Sequence, residues 1–349
     1  MSEIRHDRIT GTWIIIAPKR GRRPGGHAPA DNNGVTGAVA PPFVRDCPFC
    51  PGNEHLLPSI LDEVPRSSPP GWQVRVVPNR YPAVEMGAPE TAKATGTRLY
   101  ETFPGAGRHE VIVEHPRHDL DLATMRDEEG QAVLETCRAR YRTLMSEAGT
   151  DSVILFRNRG RNAGASIGHP HSQIVALNVV PPFVRERVER SRHYHAQEGR
   201  CPVCDLIARE SAEQVRLVWR SDHFLALVPF AATSPFEVWV IPLAHAPGFG
   251  AASDAHLRDL AMVLRDILGL YRRTLGVYEY NFVVHSAPRL PTPAPYLHWY
   301  VQIMPRLTTP AGFEFGSGMR INPSLPEEDA AFLAHALRTR AAENPRRRG

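Results

Sequence analysis

Five consecutive residues, His169-Pro170-His171-Ser172-Gln173, have the types needed for chemistry at phosphorus. The β-branched run that follows, Ile174-Val175-Ala176-Leu177, predicts a strand over His169–Leu177. Side chains two apart share a strand face, so His169, His171 and Gln173 are expected in a row. A neutral imidazole is a nucleophile toward phosphorus near pH 7, which fits His171. Gln173 can donate its amide N–H to a phosphoryl oxygen. A second copy of the pattern, His298-Trp299-Tyr300-Val301-Gln302, keeps the outer histidine and the glutamine but has Tyr300 in the middle. One copy therefore reads as catalytic and the other as degenerate. The plainer alternative for His171 is a further metal ligand or a spare polar residue. Upstream lies the stretch from Asn158 through Gly160 and Gly164 to Ser166. Its glycines would let backbone N–H groups approach a phosphate, and Ser166 would add a hydroxyl. Alone it would be only a turn; before His-Pro-His it fits a phosphate cradle.

Four of the five cysteines form two C-x-x-C pairs, Cys47/Cys50 and Cys201/Cys204. Each pair has two histidines downstream at similar separations. The first set is Cys47, Cys50, His118 and His169; the second is Cys201, Cys204, His245 and His298. Two cysteines and two histidines suit a tetrahedral zinc site, so two zinc ions per chain are expected. Any one histidine could be ordinary core or surface, but the recurrence of the whole set argues otherwise. A redox pair lacks the thioredoxin-like context. A nucleic-acid zinc ribbon needs its two pairs close together, whereas Cys50 and Cys201 are far apart. Cys137 falls on an apolar helical stripe and reads as core.

These residues need elements to hold them. His109–His118 (HEVIVEHPRH) aligns without a gap to Phe236–His245 (FEVWVIPLAH). Each segment follows a C-x-x-C pair and precedes a long amphipathic helix, a short strand and a histidine-led strand. The helices are placed near Thr124–Glu147 and Ser253–Leu275 by their apolar period, with Thr124 and Asp127 resembling a capping box. The short strands are Val153–Arg157 and Tyr280–His285, and the second histidine-led strand is His298–Met304. The expected fold is α+β with mostly antiparallel sheets and packed helices. The divisions are a catalytic half over 1–178, a linker over 179–200, a degenerate half over 201–338 and a tail over 339–349. Gly25–Pro42 reads as a surface loop and Asn344–Gly349 as disordered. A net charge of +4, rich in arginine, favours anionic partners. The absence of an apolar run long enough for a membrane helix, or of a signal-peptide core at Met1–Thr10, points to a cytoplasmic protein with no membrane partner.

Together, H-P-H-x-Q after N-x-G-x-x-x-G-x-S resembles the galactose-1-phosphate uridylyltransferase family of the histidine-triad superfamily, from about Arg5 to Pro326. Asp7–Pro24 is similar to the family's N-terminal hairpin, with Arg20 and Arg23 at nucleotide-contacting arginines. Pro78–Val84 resembles its next nucleotide-binding loop, with Asn79 at the matching position. Asn158, Gly164, Ser166 and Gln173 match phosphate-binding positions, His171 the nucleophile, and Cys47, Cys50, His118 and His169 the zinc ligands. The resemblance implies two histidine-triad-like repeats, a homodimer, and ping-pong transfer of UMP from UDP-glucose to galactose 1-phosphate through His171. Three features resemble instead a sister group, the ADP-glucose phosphorylases, which pass AMP to phosphate. They are Ser172 where glycine is common, Cys201/Cys204 at the second site, and Gly312–Gly318 without the acceptor-binding lysine and Tyr-Glu pair.

Two further classes fit the sequence less well. Histidine-triad nucleotide hydrolases often carry a longer histidine series, and Gln173 stands at its third place here. A zinc scaffold or nucleic-acid binder would leave the contrast between His171 and Tyr300 without a reason, and basic aromatic clustering is absent.

Overall fold

Alternation along the strands decides which way each side chain faces. The computed structural model describes residues 2–22, 40–66, 68, 70–87, 95–97, 99–276 and 279–343. Its N-terminal hairpin is β1 (Glu3–His6) and β2 (Trp13–Ile16). The first half continues with β3 (Asp62–Arg66), β4 (Gly71–Pro78), the small strands β5 (Thr95–Gly96) and β6 (Glu101–Thr102), and β7 (Gly107–Val113). Helix α1 (Asp127–Ser146), β8 (Ser152–Arg159) and β9 (His171–Leu177) complete it. Helices α2 (Pro182–Glu198) and α3 (Pro202–Glu213) lead to β10 (Leu217–Arg220), β11 (Phe224–Leu227) and β12 (Val238–Pro242). Then come α4 (Asp254–Thr274), β13 (Tyr280–His285), β14 (Tyr300–Pro305), α5 (Gly312–Ser317), β15 (Arg320–Asn322) and α6 (Pro326–Glu343).

Ten strands make one antiparallel sheet in the order β10-β11-β12-β14-β13-β8-β9-β7-β4-β3. Read outward from the centre, each half has the same plan, β8-β9-β7-β4-β3 against β13-β14-β12-β11-β10. The α+β repeat expected from the sequence is thus present, and pairing of β8 with β13 fuses the halves. Val74, Val76, Ile112, Ile174, Val238, Val240 and Ile303 face one side and pack under α1 and α4 in a single core. Gly130 and Ala261 let these helices approach closely, since a Cβ added at Gly130 would lie 3.4 Å from that of Ala261. Cys137 is core, as its stripe predicts. The other sheet face carries two smaller clusters, one around Cys47 and Cys50, one around Cys201 and Tyr300.

Four local expectations are revised. The gapless alignment of the two halves is one residue out of register. Val111 pairs with Gln173, but Trp239, not Val238, pairs with Gln302. One residue of slip exchanges the faces of a strand, so Val111 corresponds to Trp239. The second half is one residue shorter between this strand and its ligand histidine: 118 − 111 = 7, 245 − 239 = 6. Second, β9 starts at His171 and β14 at Tyr300, two residues later than predicted. Pro170 has no N–H to donate, and only its carbonyl is paired, by the Glu114 N–H at 3.1 Å. Third, α1 starts at Asp127. Glu129 accepts the Arg126 backbone N–H at 2.9 Å, while Thr124 closes a turn with Asp121. Fourth, the stretch read as a linker contains α2, with Pro182 at its first turn and Gly199 closing it in the left-handed conformation. Arg23, most of the Gly25–Pro42 loop and the Asn344–Gly349 tail lie outside the described residues.

Candidate active site and metal centres

The two cysteine–histidine sets converge as their spacing predicts. In each, one ligand atom per residue lies within 4.8 Å of all the others. Cys47 Sγ and Cys50 Sγ are each 3.6 Å from His169 Nδ1, and Cys50 Sγ is 3.6 Å from His118 Nδ1. Tetrahedral zinc, with Zn–S near 2.3 Å and Zn–N near 2.0–2.1 Å, puts sulfur and nitrogen about 3.6 Å apart. In the second set Cys204 Sγ is 3.3 Å from His245 Nδ1 and 3.5 Å from His298 Nδ1. The outer histidines are oriented alike. His169 Nε2–H donates to the His115 carbonyl at 2.7 Å, and His298 Nε2–H to the Pro242 carbonyl at 2.9 Å. Each ring therefore offers Nδ1 to the centre. Burial lowers the His169 pKa to about 4, which keeps that ring neutral at pH 7. Both donor sets fit a metal ion, and the first is the more buried.

His169 is not in the strand row, yet it still sets the position of His171. The His171 Nδ1–H donates to the His169 carbonyl at 2.8 Å. His171 is 7% exposed and rests 5.5 Å, centroid to centroid, from Phe49. Its Nε2 has no partner among the described residues, so its lone pair is available. Burial lowers the His171 pKa, opposed by the bond to His169 and by the charge of Glu114.

Glu114 lies beneath, on the helix side. It forms a fully buried bidentate pair with Arg157, at 2.7 and 2.9 Å, and accepts the Ser172 hydroxyl at 2.7 Å. Residues 169–172 are thus pinned by two successive residues, Glu114 and His115. Glu114→Ala leaves Arg157 charged and unpaired in the core, which is expected to cost about 3–5 kcal/mol of stability. Denaturant melts check this; an unchanged midpoint would show that the pair is dispensable.

Gln173 shares the face of His171, and Asn79 on the loop after β4 meets it, 3.4 Å from Nδ2 to Oε1. Asn158 lies on the same face of the neighbouring β8 and accepts from Asn281 Nδ2 at 2.7 Å. Asn281 Nδ2 also donates to the Ala163 carbonyl at 2.8 Å, tying down the glycine-bearing loop. In that loop Gly164 takes φ +88°, which favours glycine, and Gly164 and Ser166 are exposed. Arg20 is drawn elsewhere. It lies on the short turn Pro18–Arg22, where its charge acts on Glu314 of α5. The adjoining β2 pairs with β15, on the C-terminal half.

Sequence reasoning missed His109 and Asn281, both on the site face. Each comes from a strand whose pairing partner is not readable from spacing. In the second half Tyr300 is fully buried, stacked between Trp239 at 4.5 Å and His285 at 4.6 Å. Burial pushes its pKa well above the usual tyrosine value, so its hydroxyl stays protonated. Ile9 of the N-terminal segment packs over this cluster.

Comparison with known proteins gives the family and the fold. Residues 1–181 match the family described as galactose-1-phosphate uridyl transferase, N-terminal domain, and residues 187–336 its C-terminal domain. An ADP-glucose phosphorylase from Arabidopsis thaliana is 34% identical over 333 residues, covering 95% of this chain and 92% of its own. A galactose-1-phosphate uridylyltransferase from Thermotoga maritima is 27% identical over 342 residues, covering 95% and 98%. The crystal structure of an ADP-glucose phosphorylase from Arabidopsis thaliana with bound ADP-glucose superposes with a TM-score of 0.82 at 33% identity, over 96% of this chain and 98% of that one.

Proposed function

The chain belongs to the galactose-1-phosphate uridyl transferase family, and we propose that it moves a nucleoside monophosphate from a nucleotide sugar to an acceptor through a covalent bond to His171. The observation that carries this is the held imidazole: Nδ1–H fixed on the His169 carbonyl, Nε2 free, Gln173 beside it. Nε2 attacks the α-phosphorus of the donor. The N–P bond forms, the P–O bond to the hexose phosphate breaks, and hexose 1-phosphate leaves with the electron pair. An acceptor oxygen then attacks the same phosphorus, and the N–P bond breaks to return a neutral ring. Splitting one displacement into two predicts ping-pong kinetics. Gln173 donates to a phosphoryl oxygen, and Asn158, Gly164 and Ser166 line the phosphate's approach. Asn79, beside Gln173, contributes to nucleotide binding; Arg20 and Arg23 join it on the strength of the family resemblance, although the Arg20 turn faces α5 of the C-terminal half. Cys47, Cys50, His118 and His169 would hold a zinc ion that anchors the start of β9, and Cys201, Cys204, His245 and His298 would hold a second that braces the other half. The chain assembles as a homodimer, for which the exposed Tyr81, Met86, Leu99 and Tyr100 offer apolar surface.

The family reading gives UDP-glucose as donor and galactose 1-phosphate as acceptor. A second reading, ADP-glucose with inorganic phosphate, is favoured by the relative at 34% identity and by Ser172, whose hydroxyl is used by Glu114. Gly312–Gly318, without a lysine or Tyr-Glu pair, points the same way. The test is a panel of UDP-glucose, UDP-galactose and ADP-glucose, each with galactose 1-phosphate or phosphate. Hexose 1-phosphate should appear with one base only. Turnover by none of the six pairs would overturn nucleotidyl transfer.

A further inference from the structure

The usefulness of Gln173 depends on which way its amide points. Only the NH2 end can donate to a phosphoryl oxygen. We infer that His109, on β7, is the positioning residue that fixes this orientation, an inference that rests on the role proposed above for Gln173.

The hydrogen bonds around His109 leave one arrangement. The Ala83 backbone N–H donates to His109 Nδ1 at 3.1 Å. A neutral ring carries one proton, so it sits on Nε2, and Nε2–H donates to Gln173 Oε1 at 2.9 Å. The Asn79 amide is fixed independently, because its Oδ1 accepts the Tyr81 backbone N–H at 2.9 Å. Its Nδ2–H therefore points to the same Gln173 oxygen, at 3.4 Å. Asn79 Nδ2 and His109 Nε2 lie 3.1 Å apart as two donors converging on one acceptor. A flipped Gln173 would set its NH2 against both. With Oε1 held, Gln173 Nε2 is turned outward and has no partner among the described residues.

The degenerate half shows what the opposite choice does. Val111 pairs with Gln173 and Trp239 with Gln302. Counting two residues back along each strand, His109 and Glu237 occupy the same position. Glu237, 1% exposed, is an acceptor, and it takes Gln302 Nε2–H at 2.7 Å. Gln302 Oε1 is then bound by His285 Nε2 from β13, on the opposite flank, at 2.7 Å. The two amides are reversed relative to this position. A donor at 109 frees the amide N–H in the half that has His171; an acceptor at 237 consumes it in the half that has Tyr300.

The test measures single-turnover labelling of His171, using whichever of UDP-glucose or ADP-glucose labels the unaltered protein. Gln173→Ala is expected to slow labelling by about 10²–10³-fold. His109→Phe keeps a ring but has no donor; it should slow labelling about tenfold or more, with the donor concentration for half-maximal rate little changed. The double variant should be no slower than Gln173→Ala alone, because His109 acts only through Gln173. His109→Gln retains an N–H and should recover most of the rate. If His109→Phe fails to fold, His109→Asn, whose shorter amide cannot reach Gln173, takes its place. Labelling at the unaltered rate in His109→Phe or His109→Asn, or losses that multiply in the double variant, overturns the role of His109. A full rate in Gln173→Ala would instead overturn the reading of Gln173, and this inference with it.

Discussion

His171→Gly is expected to reduce nucleotidyl transfer by about 10⁴-fold or more, while zinc content stays that of the parent. The imidazole is the group that bonds to phosphorus, and no neighbouring side chain can replace it. Ser172, the adjacent hydroxyl, faces the opposite side of the sheet and is bound to Glu114. The metal set is untouched, because His169 is held by the His115 carbonyl and not by His171. The variant also leaves a ring-sized space beside Phe49, with the His169 carbonyl still aimed into it. Added imidazole can donate one N–H to that carbonyl and present its other nitrogen to the donor. Partial donor cleavage should return, with the nucleoside monophosphate released on free imidazole. In the parent, radiolabel from the nucleotide should stay on His171 when no acceptor is present. Parent-level turnover in His171→Gly would mean direct displacement without His171, and label on another residue would move the covalent step to that residue.

Much of this site could be read from the chain because its chemistry is local. C-x-x-C pairs, histidines at matching distances, and His171 against Tyr300 are patterns along one strand or between two short segments. Both long helices followed from their apolar period, and Ser253 caps α4, accepting the His256 backbone N–H at 3.2 Å. What stayed hidden depended on pairing between strands. His109 reaches Gln173 across the β7–β9 ladder, and Asn281 reaches Asn158 across β13–β8. Neither contact leaves a spacing signal. The gapless repeat misled for a physical reason. Glu110 and Glu237 coincide in sequence, but Glu110 turns to the helix layer and binds Arg140, while Glu237 turns to the site face and binds Gln302. Identity of residue type is not identity of face. The signals for α2, Pro182 at one end and Gly199 at the other, were present in the sequence but were masked by the density of charge between them.

Cys47→Ser is expected to be nearly as damaging as loss of His171, by a different route. A serine hydroxyl at pH 7 is a poor substitute for a thiolate on zinc, and structural zinc contributes folding free energy directly, with apparent binding of about 10–16 kcal/mol in small zinc domains. Elemental analysis should therefore fall from about two zinc ions per chain to about one. The consequence reaches catalysis through a short path. Cys47 and Cys50 both face His169 Nδ1, and the His169 carbonyl holds the Nδ1–H of His171. Without the ion, the residue that orients the nucleophile loses its anchor, so labelling of His171 should collapse along with the metal. Cys201→Ser removes the matching ion from the other half, where the strand carries the buried Tyr300 in place of a nucleophile. That variant should melt at a lower temperature, yet its folded fraction should still label His171 at close to the parental rate. The two variants thus separate a metal that positions the nucleophile from one that only holds the fold. A Cys201→Ser protein that melts like the parent but cannot be labelled would reverse that division, and stoichiometric metal absent from the unaltered protein would remove both centres.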